Sequence, residues 1–157
     1  MSSLQLITPA LIAEVTGRAR QSPRRRMNHN FHTGPTDNPH RFLNVFLRGS
    51  YAAPHRHTTP PKAESFLVLE GRMAALLFDD EGNVSARHVL GPREGAWGVD
   101  LGPGAWHTVA ALSEVAVCYE VKPGPWDPAA DKEFAPWAPR EGDAKAAAYL
   151  DRLIEGL

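Results

Sequence analysis

Residues 49–57 read Gly49-Ser50-Tyr51-Ala52-Ala53-Pro54-His55-Arg56-His57, and Glu64 and Gly71 follow. Residues two apart on an extended strand point to the same side, so this stretch presents His55 and His57 to one cavity. Neutral imidazole is the commonest metal ligand in proteins and suits several transition metals. The spacing therefore indicates a metal site.

A third histidine, His107, follows the turn at residues 102–104 and is predicted to begin the next strand. With Glu64, the three histidines leave one or two coordination positions for water or substrate, as catalytic sites do. We expect Glu64 to act as the fourth ligand or as a nearby catalytic base. The alternative is a charge at the start of a strand, paired with Lys62 or Arg72.

Short apolar runs around these histidines predict an all-β domain, since each run is bounded by glycine, proline or acidic turns. The runs are 42–47, 65–69, 72–78, 84–90, 96–101, 106–112 and 115–121. Residues 79–83 are predicted to form a hairpin connection. The spacing of the runs is typical of a small barrel.

Helices are predicted at both ends of one domain spanning residues 1–157. Thr8 and Pro9 are expected to start a helix over 8–22, and Asp143 is expected to cap a closing helix. The barrel core is placed at 41–122. The arm and closing helix take 123–157, and the proline-rich beginning of this arm is predicted to wrap around the domain in an ordered way.

The two histidine stretches resemble the paired motifs of the cupin superfamily. The first has glycine, five residues, His-x-His, then glutamate, six residues and glycine, and the second has a Pro/Gly turn leading to histidine. Six residues separate His57 from Glu64, where the family pattern has three or four. The resemblance implies an antiparallel double-stranded β-helix. It also implies one divalent transition-metal ion per chain (Zn, Fe, Ni or Mn), held by His55, His57, Glu64 and His107.

The wider chain resembles the WbuC-type cupin-fold metalloproteins. The matching segments are Pro54-His55-Arg56-His57, Phe66-Leu67-Val68-Leu69-Glu70-Gly71, Trp106-His107-Thr108, Glu120-Val121-Lys122-Pro123-Gly124-Pro125 and residues 131–139. This resemblance implies an association with bacterial surface-polysaccharide genes, without an assigned reaction. The cupin resemblance also implies a homodimer formed through sheet edges.

A polar stripe lies near the N-terminus, where every second residue from 26 to 32 offers hydrogen bonds. If this segment is extended, the stripe forms the polar wall of a substrate cavity. The alternative is turn-forming asparagine and solvated arginine. The candidate substrate-binding residues are Arg26, Asn28, Asn30, His32, Arg41 and Tyr51.

Composition excludes several classes of protein. The 157 residues carry 17 basic and 18 acidic side chains, and 43% are hydrophobic, as in a soluble globular domain. A single cysteine, Cys118, excludes an internal disulfide framework and favours the cytoplasm. No signal pattern or apolar run long enough for a bilayer is present. The only dense basic run, at 24–26, has no aromatic platform beside it, so no nucleic-acid partner is expected.

These observations favour a metal-binding protein whose partner is a small polar molecule, such as a sugar or sugar derivative. The candidate reactions are those of a metal-dependent isomerase, lyase or oxygenase, with the ion as Lewis acid or as activator of a bound water. The alternative from another class is a non-catalytic ligand-binding or sensor module. A structural dimer with a vestigial metal site is a third possibility.

Overall fold

The computed structural model describes residues 4–157, which contain two helices and ten strands. In chain order these are α1 (Pro9–Gln21), β1 (Arg26–Asn30), β2 (His40–Leu47), β3 (His55–Arg56), β4 (Glu64–Glu70), β5 (Met73–Phe78), β6 (Val84–Leu90), β7 (Gly98–Leu101), β8 (Trp106–Ala111), β9 (Val115–Lys122), β10 (Glu133–Phe134) and α2 (Ala146–Ile154). All seven predicted strands are present, with bounds that differ by at most two residues.

The strands form two five-stranded antiparallel sheets, in the orders β1-β2-β9-β4-β7 and β10-β3-β8-β5-β6. The chain crosses repeatedly from one sheet to the other, as in a jelly roll. The predicted fold class, a mainly β cupin barrel with an N-terminal and a C-terminal helix, is confirmed. The first sheet starts at Arg26, upstream of the residue at which the sequence placed the start of the barrel core.

The barrel interior lies between the two sheets, and strand alternation decides which side chains enter it. Along β4, Glu64, Phe66 and Val68 are buried while Ser65 and Leu67 are exposed. Phe66 and Val68 join a cluster with Met73 from the opposite sheet. The same alternation therefore carries Glu64 into the interior.

Gly71 ends the first motif because the turn from β4 to β5 requires it. Its φ is +75°, a conformation that side-chain-bearing residues rarely adopt. A Cβ at this position would also collide with the carbonyl oxygen of Val115. The motif glycine thus lets the turn between β4 and β5 pack closely against the start of β9.

The N-terminal helix forms as the sequence predicts and covers the outside of the first sheet. The Thr8 hydroxyl accepts a hydrogen bond from the Leu11 amide at 3.2 Å, and a proline occupies the first turn. Val15 and Ala19 pack against Leu43 and neighbouring apolar residues of β2. Since the odd-numbered residues of β2 face this helix, its even-numbered residues face the interior.

The prediction that Asp143 caps the closing helix is wrong. Helix α2 begins at Ala146, and its capping residue, Lys145, forms no side-chain capping bond. The Asp143 carboxylate instead accepts a hydrogen bond from the Arg140 amide at 2.7 Å, which closes the preceding turn. The side chain is therefore already engaged when the helix starts.

The proline-rich arm, residues 123–139, packs against the barrel by strand pairing. Its strand β10 pairs with β3, with Phe134 opposite His55. The Ala135 amide also donates to the Pro54 carbonyl at 2.9 Å. The arm thus meets the strand that carries the first histidine. None of the helices within residues 4–157 has the length and apolar character needed to cross a membrane.

Candidate metal centre and substrate cavity

Four buried side chains meet between the two sheets. His55 on β3 lies directly opposite His107 on β8, and His57 follows at the end of β3. Glu64, the first residue of β4, approaches from the other sheet. One ligand atom from each of these four residues lies within 4.8 Å of all the others. The structure thus brings together the four residues that the sequence selects as metal ligands.

Main-chain carbonyls fix the orientation of all three imidazoles. Nδ1 of His55 lies 3.0 Å from the Ala53 oxygen, and Nδ1 of His107 lies 2.9 Å from the Ala105 oxygen. Nδ1 of His57 bonds in the same way to the carbonyl of Asp131. A carbonyl only accepts hydrogen bonds, so each Nδ1 carries a proton and each Nε2 is the nitrogen that faces the centre of the cluster. This orientation is the one in which Nε2 can bind a metal ion.

The contacts of Glu64 fit a shared cation. Its two carboxylate oxygens lie 3.0 Å from Nε2 of His57 and 3.0 Å from Nε2 of His107. Nε2 of His55 and Nε2 of His57 are buried without a hydrogen-bond partner among the described residues. Neighbouring atoms bound to one ion at about 2.1 Å lie about 3 Å apart. Three imidazole nitrogens and a carboxylate oxygen around one point form a donor set that fits a divalent transition-metal ion.

The protonation states also suit metal binding. Burial lowers the pKa of His55 well below its ordinary value, and the charge of Lys132 and the His107 ring add to this effect. Burial alone would raise the pKa of Glu64, but the facing rings of His107 and His57 and the Lys122 ammonium outweigh it. They hold the pKa of Glu64 well below its usual range. The site therefore offers a neutral imidazole at His55 and an ionised carboxylate at Glu64.

A buried ion-pair network supports Glu64. Its partner is Lys122, at 3.2 Å, and not Lys62 or Arg72 as in the alternative from the sequence. Lys62 pairs with Asp131 at 2.7 Å, and Arg72 pairs with Glu94 at 2.8 Å, on the surface.

Lys122 also connects Glu64 to the rest of the network. It reaches Asp131 at 3.3 Å and Glu120 at 3.7 Å. Burial raises the pKa of Glu120, and the nearby charge of Glu64 raises it further. Asn44 donates a hydrogen bond to the Glu120 carboxylate. Acidic and basic side chains of β9 and the arm are thus interlocked beside the candidate ligands.

A cavity of about 750 Å³ opens beside the cluster, and His55, Glu64 and His107 form part of its wall. Strand β1 forms another part of this wall. Its residues 26, 28 and 30 stand opposite Phe46, Asn44 and Phe42 of β2, on the interior face. Four of the six candidate substrate-binding residues line the cavity, namely Arg26, Asn28, Asn30 and His32.

The other two candidates, Arg41 and Tyr51, are not among the residues that line the cavity. Arg41 has the odd-numbered parity of the β2 face that packs on α1, and its guanidinium donates to the Phe31 carbonyl at 3.2 Å. The Tyr51 hydroxyl donates to the Pro139 carbonyl at 2.7 Å, and its ring packs with Leu150 of α2. Both side chains therefore serve packing in this structure.

Several residues that line the cavity have no role that the sequence predicts. They are His40, Phe42, Glu120, Lys122, Trp126, Asp131, Lys132 and Phe134. Strand parity could have identified those on β2 and β9, since they share a face with Asn44 and Cys118. Nothing in the irregular arm gives its residues a comparable periodicity.

Comparison with known proteins gives a family and a set of structures with the same fold. The family model described as "Domain of unknown function (DUF6016)" matches residues 7–90. This range includes His55, His57 and Glu64 but ends before His107. No curated protein matches the chain.

Among solved structures, the chain is similar to the capsular polysaccharide assembling protein CapF from Staphylococcus aureus. The TM-score is 0.56 at 21% identity, over 69% of this chain and 29% of that one. A CapF structure with the inhibitor 3-isopropenyl-tropolone gives a TM-score of 0.57 at 21% identity, over 72% and 32%. The chain thus spans about three-tenths of the CapF chains that it matches.

Another solved structure matches this chain over nearly the whole length of the other protein. The TT1209 protein from Thermus thermophilus gives a TM-score of 0.56 at 16% identity, over 77% of this chain and 98% of that one. At these identities the structures establish a shared fold. Because the family model covers more than half of the chain, the protein belongs to the family described as Domain of unknown function (DUF6016).

Proposed function

We propose that this chain is a metal-dependent cupin protein of WbuC type that acts on a small polar molecule such as a sugar. One observation carries the proposal: three imidazoles, each oriented by a main-chain carbonyl, converge with Glu64 at the wall of a large cavity. Structural metal sites are closed, whereas this cluster borders a space that a substrate can enter. A catalytic role fits this arrangement better than a purely structural one.

His55, His57, His107 and Glu64 would hold the ion. When bound, a divalent ion supplies Lewis acidity or lowers the pKa of a bound water. The residues of β1 would bind and orient the substrate, since Arg26, Asn28 and Asn30 offer directional hydrogen bonds to hydroxyl and carbonyl groups.

Two aromatic side chains at the cavity support a sugar as the substrate. Trp126 and Phe134 line the cavity, yet 46% and 38% of their surfaces remain exposed. A large apolar ring with unburied surface at a cavity is available to pack against a ligand. Sugar rings combine apolar C–H faces with hydroxyl edges, so they match aromatic faces beside an amide-rich wall.

The shared fold with CapF supports placing the reaction in the synthesis of bacterial surface polysaccharides. CapF is described as a capsular polysaccharide assembling protein, and two of its structures share the fold of this chain. Isomerase, lyase and oxygenase chemistry are the candidate reactions for this donor set. The cytoplasmic location and the homodimer remain predictions, for which fractionation and a solution mass are the measurements.

Metal analysis is the first test of the proposal. The wild-type chain is purified without added metal, and its ion content is measured by mass spectrometry. We expect about one ion per chain for the wild type and a loss of most of the ion in His107→Ala. The matched control is His88→Ala, which removes an exposed histidine of β6 and should keep the ion. Wild-type protein that stays ion-free after every preparation would contradict the proposal.

Turnover is the second test. The metal-loaded chain is incubated with candidate sugars, and the products are analysed by chromatography and mass spectrometry. Product that forms with the wild type and not with His107→Ala supports an enzyme. Saturable binding without product would favour the ligand-binding or sensor alternative.

A further inference from the structure

The cavity is lined by equal numbers of basic and acidic side chains. The cationic ones are Arg24, Arg26, Lys122 and Lys132, and the carboxylates are Glu64, Glu120, Asp131 and Glu141. A bound divalent ion would therefore leave the cavity with an excess of positive charge. Such a cavity attracts anions and concentrates them near the ion.

Three of the four cations already have carboxylate partners. Arg24 pairs with Glu141 at 2.9 Å, and Arg26 pairs with the same carboxylate. Lys122 pairs with Glu64, Asp131 and Glu120, as described above. Lys132 has no carboxylate within ion-pair distance in the part of the chain that the structure describes. Lys132 is therefore the cavity cation that is available to pair with an anionic ligand.

The fold holds Lys132 beside the candidate metal centre. It directly precedes β10, and Phe134 of β10 stands opposite His55 with the two ring centres 6.1 Å apart. The two centres also affect each other electrostatically, because the charge of Lys132 helps to lower the pKa of His55. Lys132 itself is an exposed residue that lines the cavity, so a ligand can reach its ammonium group. A ligand anion would offset the repulsion between Lys132 and the other cations of the cavity.

We propose that Lys132 binds a carboxylate or phosphate group of the substrate, so that the cavity selects anionic small molecules over neutral ones. The inference rests on the proposed function, because it treats the cavity beside the four ligands as the substrate site. An ammonium group paired with an anion makes a charge-assisted hydrogen bond, which is stronger than a neutral one. With the anion held by Lys132, the remainder of the substrate would lie between the candidate ligands and the polar wall of β1.

The test compares matched probes at constant ionic strength on the metal-loaded full chain. Glucose, glucuronate and glucose 6-phosphate share one ring and differ in charge, so they separate a neutral, a carboxylate and a phosphate ligand. Binding is measured by calorimetry and by the shift in melting temperature. We expect glucuronate or glucose 6-phosphate to bind and glucose to bind at least roughly tenfold more weakly. The anionic probe that binds more tightly identifies the group that Lys132 recognises.

Variants assign the effect to Lys132. Lys132→Met should weaken binding of the anionic probe by roughly tenfold or more and leave binding of glucose unchanged. Lys132→Arg keeps the charge and should retain most of the affinity. Lys145→Met is the matched control, because Lys145 is an exposed lysine outside the cavity lining and its loss should not alter binding.

The ion content of every sample is measured in parallel. The inference is overturned if Lys132→Met keeps its ion and binds the anionic probes as tightly as the wild type. Equal binding of glucose, or no binding of any anionic probe, also overturns it. A wild-type chain without the ion contradicts the proposed metal centre instead, so the two failures are distinguishable.

Discussion

Each of the three candidate histidine ligands has one nitrogen engaged by a main-chain oxygen, and the other nitrogen faces the interior. The carbonyls of Ala53 and Ala105 lie two residues before the histidines that they orient, within the same local stretch of chain. The carbonyl of Asp131 acts on His57 from a distant segment. Backbone groups cannot be lost by substitution, so this way of orienting the rings tolerates changes in the surrounding side chains.

Lys122 is the residue whose loss should cost the most stability around the site. Burial disfavours its charge, but the carboxylates of Glu64, Glu120 and Asp131 raise its pKa, so it is charged. Lys122→Met leaves these carboxylates buried without their shared cation. We expect the free energy of unfolding to fall by about 3–5 kcal/mol in denaturant titrations of the metal-free chain.

Two further variants control for this substitution. Lys145→Met removes an exposed lysine and should change the free energy of unfolding by less than about 0.5 kcal/mol. Lys122→Arg keeps the charge and should lose less stability than Lys122→Met. If Lys122→Met and Lys145→Met are equally stable, the network does not support Glu64.

At the scale of the element, the face that a strand presents decides what each residue does. Asn28 and Asn30 share the interior face of β1, and the Asn28 amide donates to the Asn30 side chain. His29 lies between them with the opposite parity, and its ring packs on Phe31 at 4.9 Å between centres. Replacing both asparagines with alanine should weaken binding of the sugar probes several-fold and leave the ion content unchanged.

His29→Ala is the control for this element, since it changes the same strand on its other face. It should bind the probes as the wild type does. Probe binding that is unaltered in the double asparagine variant would remove β1 from the substrate site. Calorimetry and metal analysis on the same samples give both readouts.

Strand alternation also explains how far the sequence could predict the site. The His-x-His spacing and the turn before His107 predict that the three histidines share one site, because strand period and turn position are local properties, and the structure brings the rings together. Arg41 is a candidate from the sequence, but its odd parity puts it on the face of β2 that meets α1. No sequence pattern indicates a role for Lys132 or Asp131, because they lie in an irregular segment whose path depends on its packing against the barrel.

At the scale of the whole molecule, ion pairs connect the C-terminal segment to the start of the first sheet. Arg24 and Arg26, around the beginning of β1, both contact Glu141, which precedes α2. Partial burial would raise the pKa of Glu141, but the hydrogen bond from Arg24 and the charge of Arg26 outweigh it. The pKa of Glu141 is therefore lowered from its usual value of 4.5.

A pH dependence of stability follows from this shift. A carboxyl group whose pKa is lower in the folded state stabilises the fold above its unfolded pKa, and the contribution disappears as the pH falls through the folded value. We expect Glu141→Gln to be less stable than the wild type at neutral pH. The difference should shrink progressively below about pH 4.5.

Denaturant titrations of both chains across this pH range measure the difference. Asp151→Asn, on the exposed side of α2, is a control that should show no such convergence. A gap between wild type and Glu141→Gln that is constant down to acidic pH would show that the pairs with the arginines do not stabilise the fold.

The bond between the Asp131 carbonyl and His57 has a consequence for the evolution and engineering of this chain. A protein truncated after β9 would retain every side chain of the ligand set and still lose the group that selects the tautomer of one of them. Sequence comparisons restricted to the histidine motifs would count such a truncated relative as intact. In such a protein the imidazole of His57 would be free to rotate. The protein would then bind an ion more weakly although no ligand had been replaced.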